Sequence, residues 1–323
     1  SRGLGDVYKR QVLAHTGDRV SFPVNSTGYI MTTAVFKRIG LIGKSGDSNV
    51  ATTLRALVRL LEAYGVEILL DADLANMLAD CAHPVTDRDT LARQCDLAIV
   101  VGGDGTLLNA ARSLAEPRVA VLGVNLGRLG FLVDVSPEDM EQQLQNILSG
   151  NFDEEQRTLL HATVSRDDRV ISASNALNDV VIHKKDIARM IELDTWINGR
   201  FLNTNRSDGL IIATPTGSTA YALSGGGPVL HPALEAITLV PICPHTLSNR
   251  PIVLHDDATI EVVIHPGALQ AQISCDGQIN TVLDPGDRVT IRKHEHTLRL
   301  LHPPGHDYYE VLRKKLRWSE HPS

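Results

Sequence analysis

The chain has only four cysteines in 323 residues, Cys81, Cys95, Cys243 and Cys275, and no two form a C-x-x-C pair. That argues against a structural zinc or a disulfide framework, and reduced, buried thiols are expected. The thirteen histidines form no H-E-x-x-H motif. Basic charge is not in excess: the formal net charge is −7, which disfavours a general nucleic-acid binder but allows a local basic pocket for phosphates. No apolar run approaches the roughly 18–20 residues of a membrane span, and the beginning lacks the charged-then-apolar pattern of a signal peptide. No membrane partner is expected, and the compartment read from these features is the cytoplasm. With 43% hydrophobic, 21% charged and 4% aromatic residues, the composition is that of an ordinary globular protein.

Residues 1–30 show neither helical nor strand periodicity. Their opening SRGLGDVYKRQ resembles translated adapter or upstream sequence, and Met31 precedes the first convincing strand. They are read as a non-native or disordered extension and set aside. From 31 to 150 apolar strands alternate with amphipathic helices. Phe36–Ile42 reads as a strand; Leu54, Leu57, Val58 and Leu61 mark one face of a helix capped at Gly65. Leu97–Val101 is continuously apolar, as in a strand buried on both faces, and Val119–Val124 is another strand. Such alternation predicts a parallel sheet covered by helices. A polar helix is expected over Glu138–Leu148, stopped by Gly150. From 151 to 300 the segments are short and β-rich, with turns such as Asn198-Gly199, so a mainly β second domain is expected. A C-terminal segment, 301–323, carries a short helix near Tyr308–Trp318.

The sharpest local feature is Val100-Val101-Gly102-Gly103-Asp104-Gly105-Thr106, where a buried strand runs into a Gly-rich turn and then a helix. In open α/β sheets ligands bind beyond the carboxyl ends of the strands. Glycines let backbone approach a phosphate, and a helix N-terminus offers free N–H groups. Thr106 is the expected N-cap. A carboxylate repels phosphate, so Asp104 needs another task, either accepting a proton from an attacking hydroxyl or holding Mg²⁺. The plain alternative is a tight turn with a solvated Asp. No G-x-G-x-x-G stands at a strand–helix turn, which disfavours an ordinary nicotinamide dehydrogenase. Gly43-Lys44-Ser45 imitates the end of a P-loop, but position 38 is Arg where that motif needs Gly; a loop near phosphate is still allowed there.

With these residues in view, the sequence resembles the NAD kinase family over about 35–318. The G-G-D-G turn is shared with diacylglycerol-type lipid kinases and phosphofructokinases. The specificity comes from further blocks in order: Asn178-Asp179, Arg206–Ile212, Thr214–Tyr221, Ser224–Pro228, Pro244–Ser248 and Ser274–Gln278. The resemblance implies a phosphofructokinase-like α/β domain followed by a β-sandwich domain. It also implies transfer of the ATP γ-phosphoryl group to the 2′-hydroxyl of the adenosine ribose of NAD.

The same resemblance makes Asp104 the catalytic group and puts Gly105 against phosphate. Nucleotide contacts fall on Asn178, Asp179, Arg189, Arg206, Asp208, Thr219, Ala220, Tyr221, Ala222, Leu223, Ser224 and Gln278, and Cys243 also stands at a family contact position. Asn178 offers donor and acceptor, and Asp179 can accept from ribose hydroxyls, though the family often has the longer Glu there. The Thr214–Tyr221 block is expected to set hydroxyls against the ligand. Mg²⁺ or another divalent ion is expected without a dedicated protein cage, and ATP, another nucleoside triphosphate or polyphosphate stays open as donor. A homodimer or homotetramer is implied. Two alternatives are carried forward: a diacylglycerol-type lipid kinase and a non-catalytic NAD sensor.

Overall fold

The computed structural model describes residues 34–318 except 128–129, 186–188, 247, 268–269 and the side chain of Ile279. The extension 1–30 therefore lies outside the described residues. The first unit is built on β1 (Arg38–Gly43), α1 (Ser48–Ala63), β2 (Glu67–Asp71), β3 (Val85–Thr86), α2 (Arg88–Gln94), β4 (Leu97–Val101), α3 (Asp104–Leu114), β5 (Ala120–Val124) and α4 (Met140–Leu148). Every residue of β4 and β5 is buried, because helices cover both faces of a parallel sheet. α1 buries Val50, Leu54, Leu57, Val58 and Leu61 on one stripe, begins on an Asp47 side-chain cap and ends before Gly65 with φ +68.

The remaining strands are β6 (Asp153–Arg157), β7 (Leu160–Arg166), β8 (Arg169–Ala176), β9 (Asp179–Lys184), β10 (Ile191–Ile197), β11 (Arg200–Ser207), β12 (Gly209–Ala213), β13 (Ala236–Ile242), β14 (Ile252–His255), β15 (Ile260–Ile264), β16 (Ala271–Cys275), β17 (Ile279–Leu283), β18 (Arg288–Lys293) and β19 (Leu298–His302). A helical turn, α5 (Tyr221–Ser224), and the C-terminal α6 (Tyr308–Leu316) complete the chain. The first sheet has the order β3-β2-β1-β4-β5-β19-β6, so two strands from beyond residue 150 close it. β19 runs parallel to β5 and antiparallel to β6.

Two six-stranded sheets, β11-β10-β15-β18-β7-β8 and β14-β13-β12-β9-β16-β17, form the second unit. Their inward residues share one core, with Leu160, Ile191, Val262 and Ile291 from one sheet meeting Ile182, Ile212, Leu239 and Ile273 from the other. This is a β-sandwich, as expected. The chain passes from one sheet to the other at Asp208, between β11 and β12. Among the described residues no helix is long and apolar enough to cross a membrane.

Candidate active site

Chain order around β1 fixes where a ligand can sit. From β1 the sheet grows to β2 and β3 on one side, and then to β4 and β5 on the other. The crevice at the carboxyl ends of adjacent β1 and β4 is therefore a topological switch point, the usual binding place in such sheets. The loop Gly43-Lys44-Ser45 leaves β1 there, and Gly102–Thr106 leaves β4. With Asp73, Arg88, Asn109 and Gln278 they surround a cavity of about 540 Å³. Arg88 pairs with the buried Asp71 and with Asp73, and its Nη1 donates to Asn109 Oδ1.

The turn differs from the expectation in one respect. α3 starts at Asp104, and its N-cap is Gly103, not Thr106. Thr106 falls in the first turn, where its hydroxyl sits over Gly102. Gly102 has φ +156, and a Cβ there would collide with that side chain. Gly103 caps the helix with its carbonyl alone, accepting from Thr106 N–H and Leu107 N–H, and no side chain competes for the N–H of Gly105, which lines the cavity.

Asp104 is half-buried at the first helical position, between Gly103 and Gly105 of the cavity wall, and is not itself part of that wall. Oδ2 accepts from Phe131 N–H at 2.9 Å and Oδ1 from Leu132 N–H at 3.0 Å. The segment after β5 thus grips the carboxylate, and a Cβ on Gly130 would overlap Oδ1. No sequence motif marks this segment. Its signal was the glycine pair of Asn125-Leu126-Gly127 and Gly130, beyond a buried strand that neighbours β4. An ionised carboxylate offers about four lone-pair sites, so two remain for a hydroxyl.

A second cavity, of about 520 Å³, lies in the sandwich and is lined by Asn178, Asp179, Lys184, Asp208, Ala220 and Tyr221, among others. Its back is the β16–β17 hairpin. Asp276 (φ +51) and Gly277 (φ +65) are the central residues of a β-turn, with Gln278 N–H donating to Cys275 O, inside the three-residue loop closed by the Cys275–Ile279 pair. The Asp276 side chain is 0% exposed and accepts from Leu177, Asn178 and Asp179 N–H at 3.0, 2.8 and 3.3 Å. Arg112 Nη1 lies 3.7 Å from it. Burial pushes the Asp276 carboxyl up, partly offset by those N–H donors. Burial, with the neighbouring Asp276 charge, pushes Asp179 up to about 7. Lys184, at the other end of β9, pairs with Asp208 at 2.7 Å.

The Thr214–Tyr221 block departs from expectation. Thr214 Oγ donates to Leu177 O and accepts from Gly217 N–H, while Ser218 Oγ donates to Pro215 O and accepts from Leu230 N–H. These hydroxyls satisfy backbone groups of the loop and of the neighbouring Leu177 and Leu230, as buried groups must, and do not line the cavity. Thr219 likewise donates to Thr216 O, leaving Ala220 and Tyr221 on the cavity wall. Ala222 is buried against Val181, Ile211 and Val240; Leu223 is half-buried and Ser224 exposed at the end of α5.

Gln278 joins the two cavities. Its Nε2 donates to Gly105 O at 2.9 Å, and its Oε1 accepts from Asn109 and Arg112. Arg189 and Arg206 are exposed and line neither cavity; the Arg206 carbonyl accepts from His245 N–H. Cys95 and Cys275 are buried, but Cys243 is exposed with φ +43 at the corner after β13, against the expectation of buried thiols. Cys243 is the first residue past β13, beyond the paired strand residues that the core covers.

Two family models match the chain: the ATP-NAD kinase N-terminal domain over residues 39–152 and the ATP-NAD kinase C-terminal domain over 177–302. The NAD kinase of Chromohalobacter salexigens is 52% identical over 287 residues, covering 88% of this chain and 97% of that protein. The NAD kinase of Teredinibacter turnerae is 50% identical, covering 88% and 98%. Among solved structures, yeast NADH kinase complexed with NADH superimposes with TM-score 0.82 at 26% identity, covering 89% of each chain. An NAD kinase from Archaeoglobus fulgidus in complex with ATP gives 0.67 at 28% identity, covering 87% of this chain and 98% of the other.

Proposed function

Since the chain belongs to the ATP-NAD kinase family, we propose that its sandwich cavity takes the adenosine end of NAD and its switch-point cavity the triphosphate of ATP. The reaction moves the γ-phosphoryl group of ATP to the 2′-hydroxyl of the adenosine ribose, giving NADP and ADP. One observation carries the residue assignment: the Asp276-Gly277-Gln278 turn walls both cavities, so acceptor and donor sites are neighbours across it. Asn178 and Asp179 hold the ribose and base, Lys44, Arg88 and the α3 N-terminus meet phosphate oxygens, and Asp104 accepts from or orients the 2′-hydroxyl. Phosphoryl transfer asks mainly for alignment and charge neutralisation, which this set supplies.

Asp73 is already paired with Arg88, and no carboxylate cluster converges on this cavity among the described residues. A divalent ion therefore fits as the counter-ion of the triphosphate, where it neutralises phosphate charge, and not in a protein cage. Family membership sets aside the lipid-kinase reading; the sensor reading predicts NAD binding without product. Incubation with NAD, ATP and Mg²⁺ is expected to yield NADP, with EDTA abolishing the yield. Tight NAD binding without NADP would overturn the kinase assignment, and polyphosphate in place of ATP reads out the donor.

Asp179 gives a pH dependence. With its carboxyl raised to about 7, the folded state holds a proton that the unfolded chain has lost, between about pH 4 and 7. The stability of the free protein should fall as pH rises through that window. Only the ionised form accepts from two ribose hydroxyls, so KM for NAD should fall as pH rises through 7, and Asp179→Asn should flatten that profile. An unchanged profile in the variant removes Asp179 from the nucleotide site. We also infer a homodimer or homotetramer, supported by Phe201 and Leu202, exposed on the edge strand β11, and checked by light scattering.

A further inference from the structure

Behind the segment that grips Asp104 lies a buried ionic chain that no motif announces. Asp134 follows Leu132 by two residues, where the segment returns to the sheet. There Val135 bridges to Val124 and accepts from Asn125 N–H at 2.8 Å. Asp134 Oδ2 accepts from His302 Nδ1 at 2.9 Å and from His306 Nδ1 at 3.0 Å. The two imidazoles stack, with centroids 3.8 Å apart and planes at 18°. His302 is 0% exposed, and its Nε2 lies 3.3 Å from Glu155 Oε2. Glu155 pairs in turn with the buried Arg157, whose Nη1 donates to Thr216 Oγ1 at 3.4 Å, inside the Thr214–Tyr221 block. On the other flank Lys315 of α6 lies over the Phe131 ring at 5.6 Å.

The geometry points to Asp134, braced by the stacked His302–His306 pair, as a positioning residue for Asp104 that acts through the Phe131 and Leu132 N–H groups. It rests on the reading of Asp104 as the catalytic group. The four links between the two carboxylates are short and rigid: one peptide run, two N–H donors and a strand bridge at its base. A 1 Å misplacement at a reacting centre costs about 10²-fold in rate. Burial would push the Asp134 carboxyl up, yet the hydrogen bonds from His302 and His306 outweigh it and hold it at about 2. Burial would likewise lower His302, but Asp134 and Glu155 raise it. The chain thus alternates in sign along its length, as a buried array must to persist.

The same three ligand-type residues also suggest a metal site. The two Nδ1 atoms converge on a single oxygen, Asp134 Oδ2, which already serves as their common partner, and metal analysis distinguishes this brace from an ion site.

The test uses the full chain, with steady-state NADP formation under saturating ATP, thermal melting and metal analysis of the purified protein. Asp134→Asn and His302→Leu are expected to lose about 10–100-fold in kcat, with KM for NAD within about twofold of the parent. His302→Asn, whose side-chain N–H falls near the position of Nδ1–H, is expected to recover most of that loss. Gly130→Ala, which drives a methyl against Asp104 Oδ1 and Val133 Cγ2, should reproduce the same kcat-only defect with the side chains of Asp134, His302 and His306 all present. The inference is overturned if KM rises while kcat holds, if His302→Asn and His302→Leu fall equally and in step with melting temperature, or if one equivalent of metal is bound. If Asp104→Asn is itself silent, both the catalytic reading and this one fall; if Asp104→Asn is inactive and Asp134→Asn is not, only this one does.

Discussion

Replacing Asp104 with Asn is expected to cut kcat by at least about 10²–10⁴-fold, the range a general base contributes, while KM for NAD stays close to that of the parent. The carboxylate does two things that an amide cannot do together. It accepts from Phe131 N–H and Leu132 N–H at once, and it keeps lone pairs for a hydroxyl. Asn has one acceptor oxygen, so its NH₂ group faces one of those N–H groups and pushes the segment off. Part of the loss is therefore misplacement, and the rest is the missing proton acceptor. Melting temperature separates them, since two lost charge-assisted bonds are worth on the order of 1.5–3 kcal/mol each at most in a half-exposed site, and less after solvent screening. A variant with full turnover removes Asp104 from the chemistry, and one with raised KM and unchanged kcat makes it a binding residue.

How far the sequence foretold this site depended on whether the information was local. The buried strands β4 and β5 are apolar at almost every position, and the G-G-D-G turn follows β4 directly, so strand, turn and helix were legible together. The Asp276-Gly277 hairpin turn was also legible, because positive φ at two successive residues has a compositional signature. β6 was not. Its sequence DEEQR has no apolar alternation, because it is the edge strand and pairs only with β19, more than a hundred residues away. The Thr214–Tyr221 block misled for a related reason: hydroxyls that look ready for a ligand are taken up by backbone groups, Pro215 O within the block and Leu177 O from before β9, and only the fold reveals the distant partner. The brace around Asp134 joins residues 168 apart and leaves no local pattern at all. Arg189 and Arg206 carried weight only through resemblance, and neither lines the sandwich cavity or the switch-point cavity.

Asp276→Ala is expected to be the most damaging change in the nucleotide pocket, raising KM for NAD at least tenfold and lowering the melting temperature. Two effects compete. Removing the carboxylate relieves its repulsion with Asp179, which favours folding, and the Asp179 carboxyl should fall back from about 7 toward the ordinary range. Against this, three buried N–H groups, those of Leu177, Asn178 and Asp179, lose their acceptor, and Arg112 loses its nearest charge. A buried donor left unsatisfied costs about 1–3 kcal/mol, and three of them outweigh one screened repulsion, so a net destabilisation of about 2–4 kcal/mol is expected. Function should suffer more than stability. The same three N–H groups fix the backbone that presents Asn178 and Asp179, and the turn carries Gln278 to Gly105 O on the other side of the site. Loosening it releases both cavities together. Asp276→Asn sharpens the test, because it keeps one acceptor and removes the charge. It should retain most of the stability, yet move the pH profile of KM to lower pH, as Asp179 ionises more easily. If KM in both variants stays at the parent value across that range, the turn is a hairpin tip only, and Asn178 and Asp179 are held by something else.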